Sequence, residues 1–288
     1  MAAVAVLATH AQGGQNAPGG RTGQGGGRAT QGGRGGQGAP AASAAADTIF
    51  RAQNALGVLR GLQQVDSVNR IEYWGTGTMT IQGQSSKLTD YHASINYATP
   101  GMRVDVKREA GTPQRVIQVV SDGFAWNETE PGKNATSLSS AVTERLIQLW
   151  STPMGALKAA AAAGANAQLG TEGGLTVLTF PLPAPLTNAS MKVTLNPQEA
   201  TLANGQKRRI NNLIERVEGR VGTTVIETTY SEYGEWNEKD SKADILLPKR
   251  IVQKQGGATV LDLTVSLTNT YNPYVVMPPP ENVERAPR

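Results

Sequence analysis

The rhythm of hydrophobic and polar positions changes along the chain, and each change marks a different kind of segment. Residues 13–38 contain 13 glycines and no apolar side chain larger than Ala. Such a stretch cannot bury enough surface to offset the entropy of ordering it, so a flexible linker is expected there. From Ala44 to Leu62 apolar side chains return at three- and four-residue spacing, at Ile49, Ala52, Leu56, Leu59 and Leu62. This predicts an amphipathic helix with Asp47 near its positive end, weakened by Gly57 and Gly61.

Beyond the helix the period shortens to that of strands. Arg70–Ile81, Leu88–Ala98, Met102–Arg108, Arg115–Val120 and Phe124–Glu128 are rich in β-branched and aromatic residues and are bounded by Gly, Pro or polar turns. Ser121-Asp122-Gly123 predicts a tight hairpin, because Gly tolerates positive φ. After an interruption the strands resume with Leu175–Leu182, Met191–Asn196, Lys207–Gly219, Val221–Tyr233, Ile245–Gln253 and Ala258–Thr270. The last alternates most cleanly, with Leu261, Leu263, Val265 and Leu267 on one face. About eleven strands are expected, with antiparallel neighbours.

The interruption, Ser137–Ala163, is helical. Leu138, Val142, Leu146 and Leu149 form one stripe, and Pro153 breaks the block near Ser151-Thr152, leaving a second piece that displays Met154 and Leu157. Both pieces need a surface to cover. The organisation expected is a truncated signal peptide over 1–12, a disordered Gly-rich linker over 13–46, one β domain over 47–275 and an extended Pro-rich tail over 276–288. Ala2–Ala8 is short and apolar, and Thr9 and Ala11 suit a signal-peptidase site, which points to export to a periplasmic or secreted location. No stretch reaches the length of a membrane span.

Charge removes one class of partner. The net charge is +4, yet Arg21, Arg28 and Arg34 all precede the first acidic residue, Asp47; the remainder holds 24 basic against 23 acidic side chains. A nearly neutral body offers no field for phosphate polymers, so no nucleic-acid partner is expected. Gly33-Arg34-Gly35-Gly36 suits an RNA-binding tract, but three arginines without an aromatic residue fit a linker better.

Candidate chemistry is sparse. There is no Cys, and His10 and His92 are the two histidines, too few for an imidazole or thiolate metal site. His92 has serines nearby but no Gly-x-Ser-x-Gly elbow, and Glu128/Glu130 and Glu215/Glu218 have spacings that any polar strand supplies. No catalytic residue, metal or cofactor is therefore expected. The four tryptophans, Trp74, Trp126, Trp150 and Trp236, suit core packing or the wall of an apolar cleft.

The segment Leu149-Trp150-Ser151-Thr152-Pro153-Met154-Gly155-Ala156-Leu157-Lys158-Ala159-Ala160 resembles part of the non-catalytic N-terminal region of exported metallo-β-lactamase-fold hydrolases. So do Glu227–Tyr233, Leu247–Gly257 and Leu261–Val265, and the likeness spans roughly Asp47 to Asn272. The histidine-rich metal motif that follows in those proteins is not in this sequence, so the resemblance transfers no hydrolase residue. More distantly, the strand order, the covering helices and Val119-Val120-Ser121-Asp122-Gly123 resemble the periplasmic outer-membrane lipoprotein carrier (Lol) fold. That likeness implies a mainly β (α+β) fold: an open antiparallel half-barrel with covering helices and an apolar concave face that binds acyl chains. On this reading the chain is a non-enzymatic carrier of a lipid or other apolar small molecule. Trp150, Met154 and Leu157 on the lid would face Leu261, Leu263, Val265 and Leu267 on the last strand. The alternative is an accessory domain that docks to a separately encoded hydrolase or envelope protein and positions its substrate.

Overall fold

A computed structural model describes residues 41–81, 83–235 and 245–287. The chain divides into two units, Met1–Gly38 and Ala39–Arg288, and the described residues all belong to the second. The signal peptide and nearly all of the linker expected before Ala41 lie outside the described residues, as does Trp236.

The first helix, α1, runs from Ala41 to Ala55 and begins three residues before the expected Ala44, with Ala45, Ile49, Ala52 and Leu56 buried. It stops well short of Leu62. Gly57 adopts φ 75° and returns its N–H to the carbonyl of Asn54, a left-handed ending that a side chain would strain. The next residues form a hairpin of β1 (Leu59–Arg60) and β2 (Val65–Asp66). Leu62 at its tip is fully exposed, so it does not belong to the helical stripe.

The principal sheet contains thirteen strands among the described residues. In chain order they are β3 (Arg70–Ile81), β4 (Gln84–Asn96), β5 (Gly101–Arg108), β6 (Arg115–Ser121), β7 (Phe124–Glu128), β8 (Thr136–Ser137), β9 (Gln168–Glu172), β10 (Leu175–Pro181), β11 (Ala189–Thr201), β12 (Lys207–Val221), β13 (Thr224–Gly234), β14 (Leu247–Gln255) and β15 (Ala258–Asn269). Eleven coincide closely with the expected strands. The two additional strands, β8 and β9, are the two edges, and short edge strands carry little hydrophobic pattern. The sheet does not close, so the architecture is an open antiparallel half-barrel with covering helices. Its middle is the pairing of β3 with β15, where two chain-distant segments meet.

Three helices cover the inner face. The helical block divides at Pro153 as expected into α2 (Val142–Ser151) and α3 (Pro153–Ala163), with Pro153 at the position where a missing N–H costs nothing, but α2 starts later than the expected Ser137, which lies in β8, and Leu138 stands exposed outside the helical stripe. Its partner surface differs from the expected one. The α2 helix packs on β12 and on β5–β7, and α3 packs on β10 and α1, whereas the apolar row of β15 faces the lid across a cavity. The physical reason is Gly219 on β12: the Cγ2 methyl of Ile147 occupies the space that a Cβ there would need. A glycine in that strand lets the helix sit directly on the sheet.

The segment after β15 returns to the outer face. Val275, Met277 and Val283 pack with Ile117, Val119 and Trp126 in a second apolar cluster. Polar contacts fasten it: Asn96 Nδ2 donates to the carbonyl of Val275 (2.8 Å), Asn282 Nδ2 to the carbonyl of Ala135 (2.8 Å), and the Ala286 N–H to the carbonyl of Gly123 (2.9 Å). The Pro-rich tail is thus irregular chain laid along the sheet as a strap.

Candidate functional site: an apolar cavity beneath the helical elbow

The elbow between α2 and α3 is held by hydroxyl groups. Thr152 Oγ1 donates to the Leu149 carbonyl (2.8 Å) and accepts from the Gly155 N–H (3.2 Å), which caps α3. Tyr97 OH lies 2.7 Å from the same Oγ1; since one hydroxyl donates once and accepts twice, Tyr97 is the donor. Tyr230 OH donates to the Ser151 carbonyl (2.6 Å). Both phenols are buried, and burial pushes their pKa values up, so they remain protonated donors. Gly155 is required here because a Cβ would come within 2.6 Å of the Leu149 carbonyl oxygen. The Leu149–Ala160 segment is therefore built to make a tight bend tied to Tyr97, just after β4, and to Tyr230 on β13.

Beneath the bend is a cavity of about 70 Å³ whose wall includes Met154 from α3, Tyr73 from β3, Tyr230 from β13, and Leu261 and Val265 from β15. A cleft of about 420 Å³ adjoins it, between α2 and the far ends of β3, β6 and β14. Four side chains border both spaces: Met79, Gln118, Gln148 and Gln253.

Of the seven residues expected to line a cleft, the structure places Met154, Leu261 and Val265 on the cavity wall. Leu157 and Leu263 are wholly buried in the surrounding core. Leu263 packs against Gly75 and Gly77, whose missing side chains let β3 and β15 approach closely. Trp150 is buried beside Tyr97, with ring centroids 6.4 Å apart. Leu267 departs from the inward row. A register shift between Val265 and Leu267 inserts Ser266 and turns Leu267 toward the side of Trp74, while Thr268 takes the inward place on the cavity wall. A bulge reverses the alternation of every later residue.

Tyr73, Tyr91, Tyr230, Gln118, Gln148 and Gln253 were not anticipated. Tyr73 and Tyr91 stack at 5.8 Å, and burial pushes both phenols up. The strand period does carry a partial signal, since Tyr73 follows Ile71 by two residues, as Gln118 follows Val116.

Two polar clusters have other roles. On the outer face, His92 Nε2 lies 3.1 Å from Glu72 Oε1, and Ser94 Oγ donates to that same oxygen (3.0 Å). Ser94 and Glu72 both meet one imidazole nitrogen, whereas a catalytic relay needs the two on opposite nitrogens. With the Trp74 ring stacked on His92 at 4.4 Å, the cluster joins β3 to β4. On the inner side, Arg145 donates to the carbonyls of Val119 (2.9 Å) and Trp126 (2.7 Å) and to Asn127 Oδ1 (2.6 Å). Burial lowers its pKa to about 10, leaving it charged at neutral pH, and it clamps α2 to β6 and β7. Among the described residues no group of three or more His, Cys, Asp or Glu is placed to hold a metal, and no helix is long and apolar enough to cross a membrane.

The fold and cavity define a class: an open antiparallel half-barrel with a helical lid over an apolar hollow. No family model matches the chain, and no curated protein matches it. The solved structures it is similar to include three that share low identity with it. A putative outer membrane lipoprotein-sorting protein domain from Vibrio parahaemolyticus shares 12% identity over 80% of this chain and 94% of its own, with a TM-score of 0.44. A LolA superfamily protein from Nitrosomonas europaea shares 10% over 79% and 94%, with a TM-score of 0.43. A DUF1329 family protein from Desulfovibrio piger shares 7% over 82% and 95%, with a TM-score of 0.45.

Proposed function

We propose that this chain is an exported, non-enzymatic binding protein that holds a lipid or other hydrophobic ligand between the helical elbow and the concave face of its sheet. The observation that carries the reading is the cavity bordered by Met154, Leu261 and Val265 beneath the helical elbow. Concave, mostly apolar spaces with a few convergent polar groups are the usual form of small-molecule sites. Each methylene taken out of water contributes about 0.8 kcal/mol, so a ligand that buries about ten of them reaches the micromolar range; the cavity of about 70 Å³ takes only the end of such a chain, and the adjoining cleft of about 420 Å³ takes the rest. Export is the expectation raised by the apolar start of the chain, and the carrier role is supported by the cavity.

Native mass spectrometry of protein purified from its own envelope tests the reading. The expected result is a bound apolar species that organic extraction removes. Protein that is repeatedly empty, and that takes up no apolar fluorophore after extraction, would overturn it.

A further inference from the structure

The boundary between the two spaces is chemically uneven. Of the four side chains that border both, one is Met79 and three are carboxamides, delivered by separate elements: Gln118 from β6, Gln148 from α2 and Gln253 from β14. All three are only partly exposed. Little of their hydrogen-bonding capacity is used within the protein. Gln148 Nε2 donates to Glu144 Oε1 at 3.3 Å, Gln253 Nε2 reaches Thr228 Oγ1 at 3.5 Å, and the Gln118 carboxamide makes no hydrogen bond among the described residues. A carboxamide offers two donors and two acceptor sites, so the three together form a polar collar at the mouth of an apolar cavity.

The charges around the outer cleft are already satisfied or unsuited to an anion. Arg115 is held by Asp105 and Glu128 by Arg103, while Arg145 is hydrogen-bonded to two carbonyls and Asn127, with Glu144 the carboxylate that acts on its charge. Glu144 adds an exposed carboxylate at the rim. A group that both accepts and donates hydrogen bonds without a net charge suits this boundary, and a carboxylate or phosphate does not.

We infer that the ligand is a neutral amphiphile: its apolar part enters the cavity beneath the elbow, and its ester, hydroxyl or amide group is gripped by Gln118, Gln148 and Gln253. This rests on the cavity reading proposed above and narrows it to a ligand class.

The test uses N-phenyl-1-naphthylamine as an apolar fluorescent reporter, displaced by monooctanoylglycerol or by octanoate of the same chain length. The full chain is expected to bind the reporter and to favour the glycerol ester over the carboxylate. Gln118→Leu and Gln253→Leu should each lower the affinity for the ester, relative to that for the reporter, by about three- to tenfold, the size of one net hydrogen bond. Gln118→Met and Gln253→Met serve if a leucine variant melts early. Equal affinity for ester and carboxylate, or an unchanged ester-to-reporter ratio in folded variants, would overturn the collar while leaving the cavity standing. Failure of the native chain to bind the reporter would overturn the cavity reading as well.

Discussion

Glu218 sits on the outer face of β12 with Lys192 Nζ 3.0 Å from its Oε1 and Arg220 Nη2 3.0 Å from its Oε2. Burial by itself would push the carboxyl up, but the hydrogen bonds from Lys192 and Arg220 outweigh it and hold the group below its ordinary 4.5. A depressed carboxyl stabilises the folded state fully above its unfolded pKa and loses that contribution as pH falls through the folded one. Glu218→Gln is therefore expected to flatten the loss of stability on acidification below about pH 4.5. It should also cost about 1.5–3 kcal/mol at neutral pH, the scale of hydrogen bonds to charged groups. Urea denaturation across the acid range measures both. Leu263 and Gly77 supply a contrast without charge. Leu263→Ala should cost about 2–5 kcal/mol as an ordinary core truncation. Gly77→Ala should be destabilising by about 1–3 kcal/mol or more, because its Cβ would overlap the Asp262 carbonyl oxygen. A thermal melt of Leu263→Ala that matches the native protein would show that β15 is looser than its burial indicates.

At the scale of elements, the elbow is where helices and sheet are joined. Thr152→Val removes the cap of α3 and leaves Tyr97 OH without its acceptor, so about 1–2 kcal/mol should be lost. The buried phenols of Tyr91, Tyr97, Tyr230 and Tyr233 all have pKa values raised by burial. A phenol with a raised folded pKa stabilises fully below its unfolded value and loses that contribution as pH rises. Stability should accordingly fall above about pH 10, with these tyrosines ionising together with unfolding. Tyrosinate absorbance that rises well before the loss of circular dichroism would contradict their burial. The bend itself was legible in the sequence because Pro153 acts locally. Its attachments to Tyr97 and Tyr230 were not, because those contacts span 55 and 79 residues.

At the scale of the folded unit, the strap after β15 completes the outer face. Truncation after Asn272 would uncover Ile117, Val119 and Trp126. At about 1.5–3 kcal/mol for each of these three apolar side chains exposed, roughly 4.5–9 kcal/mol should be lost. Trp126, now 2% exposed, should shift its fluorescence to longer wavelength. Unchanged emission and melting would mean that the strap is not closed over the sheet in solution.

The sequence by itself determined eleven of the strands, the split of the helical block at Pro153 and the Asp122-Gly123 hairpin, whose residues take φ 44° and 81°. These depend on period, propensity and backbone freedom, which act over a few residues. Only the tertiary structure decided which apolar residues face the cavity. The bulge that exchanges Leu267 for Thr268 arises where β15 pairs with β3, nearly two hundred residues away in the chain. The same holds for Gly219 beneath Ile147, for the strap across Trp126 and for the meeting of Gln118, Gln148 and Gln253. Each is set by long-range register and by the space that neighbouring elements leave, and neither is written in the local alternation of polar and apolar residues.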